Sequence, residues 1–377
     1  MKFRLRGWGI FALVGLELLA VAPAAAALTE APAKKTLVNF APLSGLHVQH
    51  GSSSLSLQLG TWLRGDILDR AHESTRYQFA VPLLRPVLQV HLLNRQLLFF
   101  VQPELGGASP DPRLLDAFIE WAPRDQFHLR FGQFRTPFSR AFIIPIFNLQ
   151  LPGRGLVVDH FRLGRDSGAM AFGSFSKHRF EYAVGGFSGA DINSLASDDA
   201  APLALARIAF NLGQPVPYDQ APALVLDAPS GVSFGLSGAW RDRSHSRGNT
   251  PSTPRPESWH GQADVTLMRG PVAATAEAFL KETRSPGGGW RDSYGTFLQL
   301  GAFVLPRQLE IGGRGGWLSD GGDAWSTEAF VTLYWHYGDM FFGHHLKTTL
   351  AYRRDDHSSA ASARDFQSVV LQTQIWL

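Results

Sequence analysis

The stretch Leu55-Ser56-Leu57-Gln58-Leu59-Gly60-Thr61-Trp62-Leu63-Arg64-Gly65-Asp66-Ile67 reads as one strand with two unlike faces. Leu55, Leu57, Leu59, Leu63 and Ile67 fall on one parity, with Thr61 and Gly65. Ser56, Gln58, Gly60, Arg64 and Asp66 fall on the other, with Trp62. Successive side chains of a strand point to opposite faces, so a period of two makes one face apolar and one polar. The pattern returns at 114–122, with Leu115, Ala117, Ile119 and Trp121 against Asp116, Phe118, Glu120 and Ala122. It returns again at 179–187, with Phe180, Tyr182 and Val184 against Arg179, Glu181, Ala183 and Gly185. Helical periodicity is scarce.

Extended over the chain, this reading predicts sixteen strands near 55–67, 83–92, 96–105, 114–122, 127–135, 166–175, 178–187, 203–211, 231–241, 260–269, 272–282, 293–304, 308–317, 326–337, 345–354 and 366–377. A soluble sandwich alternates too, with its apolar face inside. A membrane barrel alternates with its apolar face outward, toward lipid. Strand length separates the two, because roughly nine to twelve residues is what a tilted strand needs to cross a bilayer. The connections also alternate between short and long, as 93–95, 123–126, 176–177, 270–271, 305–307 and 338–344 do against 68–82, 106–113, 136–165 and 242–259. That is the asymmetry of an outer-membrane barrel with periplasmic turns and extracellular loops. One connection breaks it: 212–230, with Pro215, Pro217, Pro222 and Pro229, falls where a short turn is expected. The expected fold is all-β, a closed antiparallel transmembrane β-barrel of about 16 strands with a long inward-folded loop.

Composition agrees. Of 377 residues only 18% are charged, 12% are aromatic, 38 are Gly and none is Cys. Low charge suits strands with one face in lipid, and the lack of Cys excludes thiolate metal sites and Cys nucleophiles. Trp121 and Phe127, and Tyr334, Trp335, Phe341 and Phe342, cluster at short turns as a headgroup girdle would. Lys2, Arg4 and Arg6, an apolar run over 9–22 and small residues at Ala24–Ala27 read as a signal peptide over 1–27. With Glu17, that segment carries +2 of the formal net charge of +3, leaving about +1 and no case for nucleic acid. Residues 28–54 are then a periplasmic N-terminal segment and 55–377 the barrel.

The longest connection on the long-loop side is 136–165, the candidate constriction loop. It carries Arg140, Arg154, Arg162 and Arg165, with Asp159 and His160; Arg135 precedes it and Asp166 follows. Five cations against two acids favour anions, and Arg suits phosphate because its fork donates two hydrogen bonds and its charge does not titrate away. Arg130 and Arg64 lie at lumen parity nearby. The alternative is that these arginines pair with lumen carboxylates such as Glu104, Asp116 and Glu120 and pin the loop to the wall. Arg135 shares the parity of Phe127, Leu129 and Phe131, so bringing it inward calls for a bulge near Gly132-Gln133. Mixed charge elsewhere keeps a general diffusion pore, or a non-conducting structural or adhesion barrel, as competing readings.

Gly132-Gln133-Phe134-Arg135-Thr136-Pro137-Phe138-Ser139 and, upstream, Asp116-Ala117-Phe118-Ile119-Glu120 resemble signatures of the phosphate-selective porin O and P family of Gram-negative outer membranes. Pro152-Gly153-Arg154, Gly164-Arg165-Asp166-Ser167-Gly168 and Tyr182–Gly189 follow in the expected order. The resemblance covers about 45–215 and implies a homotrimeric outer-membrane porin passing small anions, phosphate or polyphosphate among them, in contact with lipid and lipopolysaccharide and delivered by the barrel insertion machinery. It implies no cofactor. Such barrels usually end in an aromatic, whereas this chain ends Trp376-Leu377, which puts the register of the last strand in question. Enzyme signatures are weak: Asp166-Ser167-Gly168 lacks a nucleophile turn, and Gly312-Gly313-Arg314-Gly315-Gly316 opens no helix, so its glycines serve strand bending or close approach. His344-His345 read as turn or girdle residues.

Overall fold

The computed structural model describes residues 36–41, 45–71, 73–107, 111–190, 192–193, 201–242, 256–285, 288–337, 340–358 and 365–377. The signal peptide assigned to 1–27 lies outside them. All sixteen expected strands are present: β1 (Ser53–Arg70), β2 (Arg76–Leu92), β3 (Leu97–Glu104), β4 (Arg113–Arg124), β5 (Phe127–Arg135), β6 (Arg165–Phe175), β7 (Phe180–Phe187), β8 (Leu203–Gly213), β9 (Ser230–Arg241), β10 (Ser258–Arg269), β11 (Val272–Arg284), β12 (Trp290–Leu305), β13 (Leu309–Ser319), β14 (Asp323–Tyr334), β15 (Leu346–His357) and β16 (Phe366–Trp376).

Each strand pairs antiparallel with its neighbours in the chain, and β16 pairs back onto β1 from Phe366↔Arg70 to Trp376↔Gly60. The sheet is therefore closed, which removes the unpaired edges that lipid would not tolerate. Leu377 carries the register one residue further: it and Leu59 exchange both backbone hydrogen bonds, at 2.8 and 2.9 Å. The non-aromatic last residue leaves the last strand in register. A hairpin of Thr36–Ala41 and Gly45–His50 adds to the start of β1, where His50 pairs with Ser53.

The alternation runs as a lipid-facing barrel requires. On β8, Ile208, Phe210 and Leu212 are about half exposed, while Arg207 and Asn211 are buried. On β12, Leu298 is 60% exposed and Gln299 2%. Apolar side chains face out and polar ones in, the reverse of a soluble sandwich. Among the girdle candidates, Trp121 and Trp335 do face outward, but Tyr334 is fully buried and donates its hydroxyl to Glu310 at 2.7 Å. Strand β14 ends at Tyr334, not 337; His336–Tyr337 form a separate short pair with Met340–Phe341. The bulge expected at Gly132-Gln133 is absent: pairing of β5 with both neighbours runs unbroken through Gly132. Gly132 instead adopts φ +127°, and Arg135 turns inward as the last residue of its strand.

Residues 136–164 pack against the inward faces of distant strands. They contain two short helices, α1 (Arg140–Ile143) and α2 (Leu156–Phe161). Glycines in the wall make room for them. A Cβ on Gly60 would meet the Phe147 ring at 2.2 Å, and one on Gly295 would meet Phe161 at 2.4 Å. Gly316 does the same for Val157, at 3.0 Å, so part of the Gly312–Gly316 run does serve close approach.

Candidate functional site

The loop is held at both ends of its path. Ser139 caps α1, and its hydroxyl donates to Glu277 on β11 at 2.7 Å; the Ala141 N–H donates to the same carboxylate at 2.6 Å. Glu277 thus satisfies donors that a four-residue helix cannot satisfy itself. Beside it Phe161 stacks on Phe279 at 5.3 Å. Further along, Arg64 donates to Pro152 O at 2.8 Å and Arg314 to Gly153 O at 3.2 Å. Lys347 donates to Phe147 O at 3.3 Å, and Phe147 lies edge-on to Trp376 at 4.2 Å. Replacing Glu277 by Ala takes the acceptor from the two loop donors and one of two from Gln262, at roughly 1–3 kcal/mol for each buried donor left without a partner. The expected result is a released α1, seen as larger and noisier single-channel conductance with a lower melting temperature.

The seven arginines singled out in the sequence divide by partner. Arg165 pairs with Asp116 at 2.9 Å, Arg130 with Glu120 at 2.5 Å and Arg162 with Asp159 at 3.4 Å. Arg64 donates to Gln372 and lies 4.0 Å from Asp66. Arg135, Arg140 and Arg154 differ: among the described residues they have no acidic partner. Arg135 donates to the carbonyls of Phe142, Ile143 and Ile144, the C-terminal end of α1, at 3.3, 2.8 and 2.9 Å. Arg154 donates to two of the same carbonyls, Phe142 and Ile144, at 3.2 and 2.5 Å. Arg140 is 1% exposed and donates to the carbonyls of Val216 and Pro217. The Nε atoms of Arg140 and Arg154 are buried with no hydrogen bond. Burial, and next the positive charge of Arg165, push the Arg154 guanidinium down to about 9. Pairing with wall carboxylates is therefore realised for Arg130 and Arg165, while Arg135 and Arg154 meet at the carbonyl end of α1 without an ion-pair contact among the described residues.

The connection read as 212–230, a long segment where a short turn is expected, is in the structure a second inserted segment over 214–229. Val216, Asp219, Gln220, Ala221 and Leu224 are all buried. Tyr218 donates to Glu181 at 2.8 Å, and Gln220 accepts from the Gln150 N–H at 2.8 Å and from Gln299 at 2.9 Å. Ala221 and Leu224 pack with Phe303 and Tyr334. Asp219 meets His344 at 3.0 Å, with Asn148 at 3.3 Å. The two segments thus touch each other inside the barrel, one entering from the long-loop end and one from the short-turn end. His344 faces Asp219, Lys347 and Tyr334 rather than the outside. Burial, against the pull of Asp219, lowers its pKa below the ordinary 6.5. A depressed pKa means that the packed state disfavours the protonated ring, so this contact is intact above about 6.5 and weakens as the pH falls below it. Conductance is expected to rise between about pH 7 and pH 5, and His344→Gln to flatten that dependence.

Beside the two segments lies a cavity of about 840 Å³ along β2 to β8, with Arg130 and Arg135 in its wall. Sequence reasoning found the arginines by type and position. It missed Glu277 and Lys347 as anchors of the loop, and the inward course of 214–229; the four prolines and the misplaced length of 212–230 were the signal for the last.

No family model matches the chain, and no curated protein does. Solved structures do match in fold. An anion-selective porin from Comamonas acidovorans superposes with a TM-score of 0.62 at 12% identity, covering 86% of this chain and 100% of that one. OmpT of Vibrio cholerae gives 0.59 at 9% identity, over 87% and 99%. OmpF of Salmonella typhi, in complex with daunomycin, gives 0.58 at 11% identity, over 88% and 100%. The chain has the fold of the outer-membrane porins. At these identities the likeness speaks for the fold; the resemblance to the phosphate-selective family rests on its motif residues.

Proposed function

We propose that the protein is a passive outer-membrane channel for small anions, phosphate-like ones included. Residues 1–27 direct export, 28–54 lie in the periplasm and the barrel of 55–377 sits in the outer membrane as a homotrimer. The observation that carries the reading is the set of three inward arginines, Arg135, Arg140 and Arg154, whose hydrogen bonds among the described residues go to carbonyls and none to a carboxylate. Buried cations without acids make the constriction attractive to anions and hostile to cations. The fold likeness to an anion-selective porin supports the same class. In a planar bilayer under a KCl gradient, the reversal potential is expected on the chloride side, and phosphate is expected to slow the chloride current. A reversal potential on the potassium side overturns the proposal.

A second reading is a barrel plugged by 136–164 and 214–229 together. It is favoured by Gln220, whose side chain joins Gln150 of the other segment and Gln299 of the wall. It predicts no single-channel steps from correctly folded, inserted protein.

A further inference from the structure

The open cavity is walled on one side by aromatic rings, and the anion channel reading does not account for them. Phe100 and Phe118 stack at 4.9 Å, and Phe134 stands edge-on to Phe118 at 6.0 Å. The Arg130 guanidinium carbon lies 4.3 Å from the Phe118 ring, 4.9 Å from Phe172 and 5.4 Å from Phe134. Glu120 takes two of its hydrogen bonds, from Nε and Nη2, which fixes the plane of the fork among the rings. The cavity is bounded by Tyr218 on 214–229, and Arg135 lies in the same wall. Inward rings on the far side are covered instead: Phe279 stacks on Phe161 of the loop, and Phe303 packs against Ala221 and Leu224. The carboxylates Asp116 and Glu181 in the cavity lining are taken up by Arg165 and Tyr218.

A bare inorganic anion gains nothing from this wall. The face of an aromatic ring carries the negative lobe of its quadrupole and repels an anion. A flat apolar group gains from the rings by stacking and burial, and from the Arg130 plane by stacking on a cation. The one cation of the cavity wall without an acidic partner among the described residues is Arg135, and it suits the charged end of the same solute.

Building on the anion-channel reading, we propose that the favoured solute is a small aromatic carboxylate, its ring on the Phe118–Phe134–Phe172 wall and its carboxylate toward Arg135. The test measures permeability ratios of wild-type protein in planar bilayers from bi-ionic potentials, with benzoate, cyclohexanecarboxylate, acetate and phosphate as probes. Benzoate is expected to pass more readily than acetate despite its bulk, and more readily than cyclohexanecarboxylate, which has the carboxylate and the size but no aromatic ring. Phe118→Leu and Phe172→Leu, which keep apolar volume and remove the ring, are each expected to lower the benzoate-to-acetate ratio about three- to tenfold. Ratios that follow size in the wild-type protein overturn the proposal whether or not the variants insert. So does an unchanged ratio in a variant that inserts and conducts. Chloride-over-potassium selectivity, read in the same membranes, separates the two claims: its loss sinks the anion channel, while its presence with a size-ordered series sinks only the aromatic solute.

Discussion

Replacing residues 215–229 with a two-residue Asn-Gly turn is expected to raise single-channel conductance about two- to fivefold, since narrowing by inserted chain sets the conductance of a wide barrel. The chain can be shortened there without strain. Gly213 pairs with Gly231, and Gln214 N–H donates to Ser230 O at 2.9 Å, so the ends of the segment already sit opposite each other in a hairpin. Asn-Gly is the connection such a pair favours. The deletion empties the space of Val216, Asp219, Gln220 and Leu224, and removes the carbonyls that hold Arg140 and the amide that braces Gln150. Conductance equal to wild type would mean that 214–229 does not obstruct the path.

The second large effect is on selectivity. Arg135→Gln, Arg140→Gln and Arg154→Gln combined are expected to lower the chloride-over-potassium permeability ratio about tenfold, because each removes a full charge that has no ion-pair contact among the described residues. Gln keeps a donor for the carbonyls at the end of α1, so the loop retains part of its hold. Arg162→Gln is expected to do far less: its partner Asp159 lies in the same exposed turn, and such a pair is screened by solvent. Reversal potentials in a salt gradient measure both. A triple variant with wild-type selectivity would place the determinants elsewhere.

The fold was legible because a barrel in lipid imposes one rule on every strand. Leu55–Ile67 shows it, and so do the ten-odd residues between alternate short turns and long loops. The loop of 136–165 was legible by length and by its arginines. Its anchors were not, because Glu277 lies more than a hundred positions from Ser139 and only closure of the sheet brings them together. The division of the arginines into paired and unpaired was equally hidden: Arg165 with Asp116 and Arg154 with the carbonyl of Ile144 have the same chemistry in sequence. Tyr334 and His344 misled because aromatics at a turn suit a girdle as well as an interior, and only the inserted segment decides between them. Gly60 and Gly295 were silent for a related reason, as a strand glycine does not announce what leans on it.

The seat of Phe147 is built from both ends of the chain. Gly60 and Trp62 lie on β1, Trp376 and Gln374 on β16, and Gln374 donates to the Phe147 carbonyl at 2.9 Å. Until those two strands meet, the Phe147 ring has only half of its seat. The narrowest contact of the passage thus depends on the seam: whatever loosens the joint between the first and last strands also unseats the loop that sits on it.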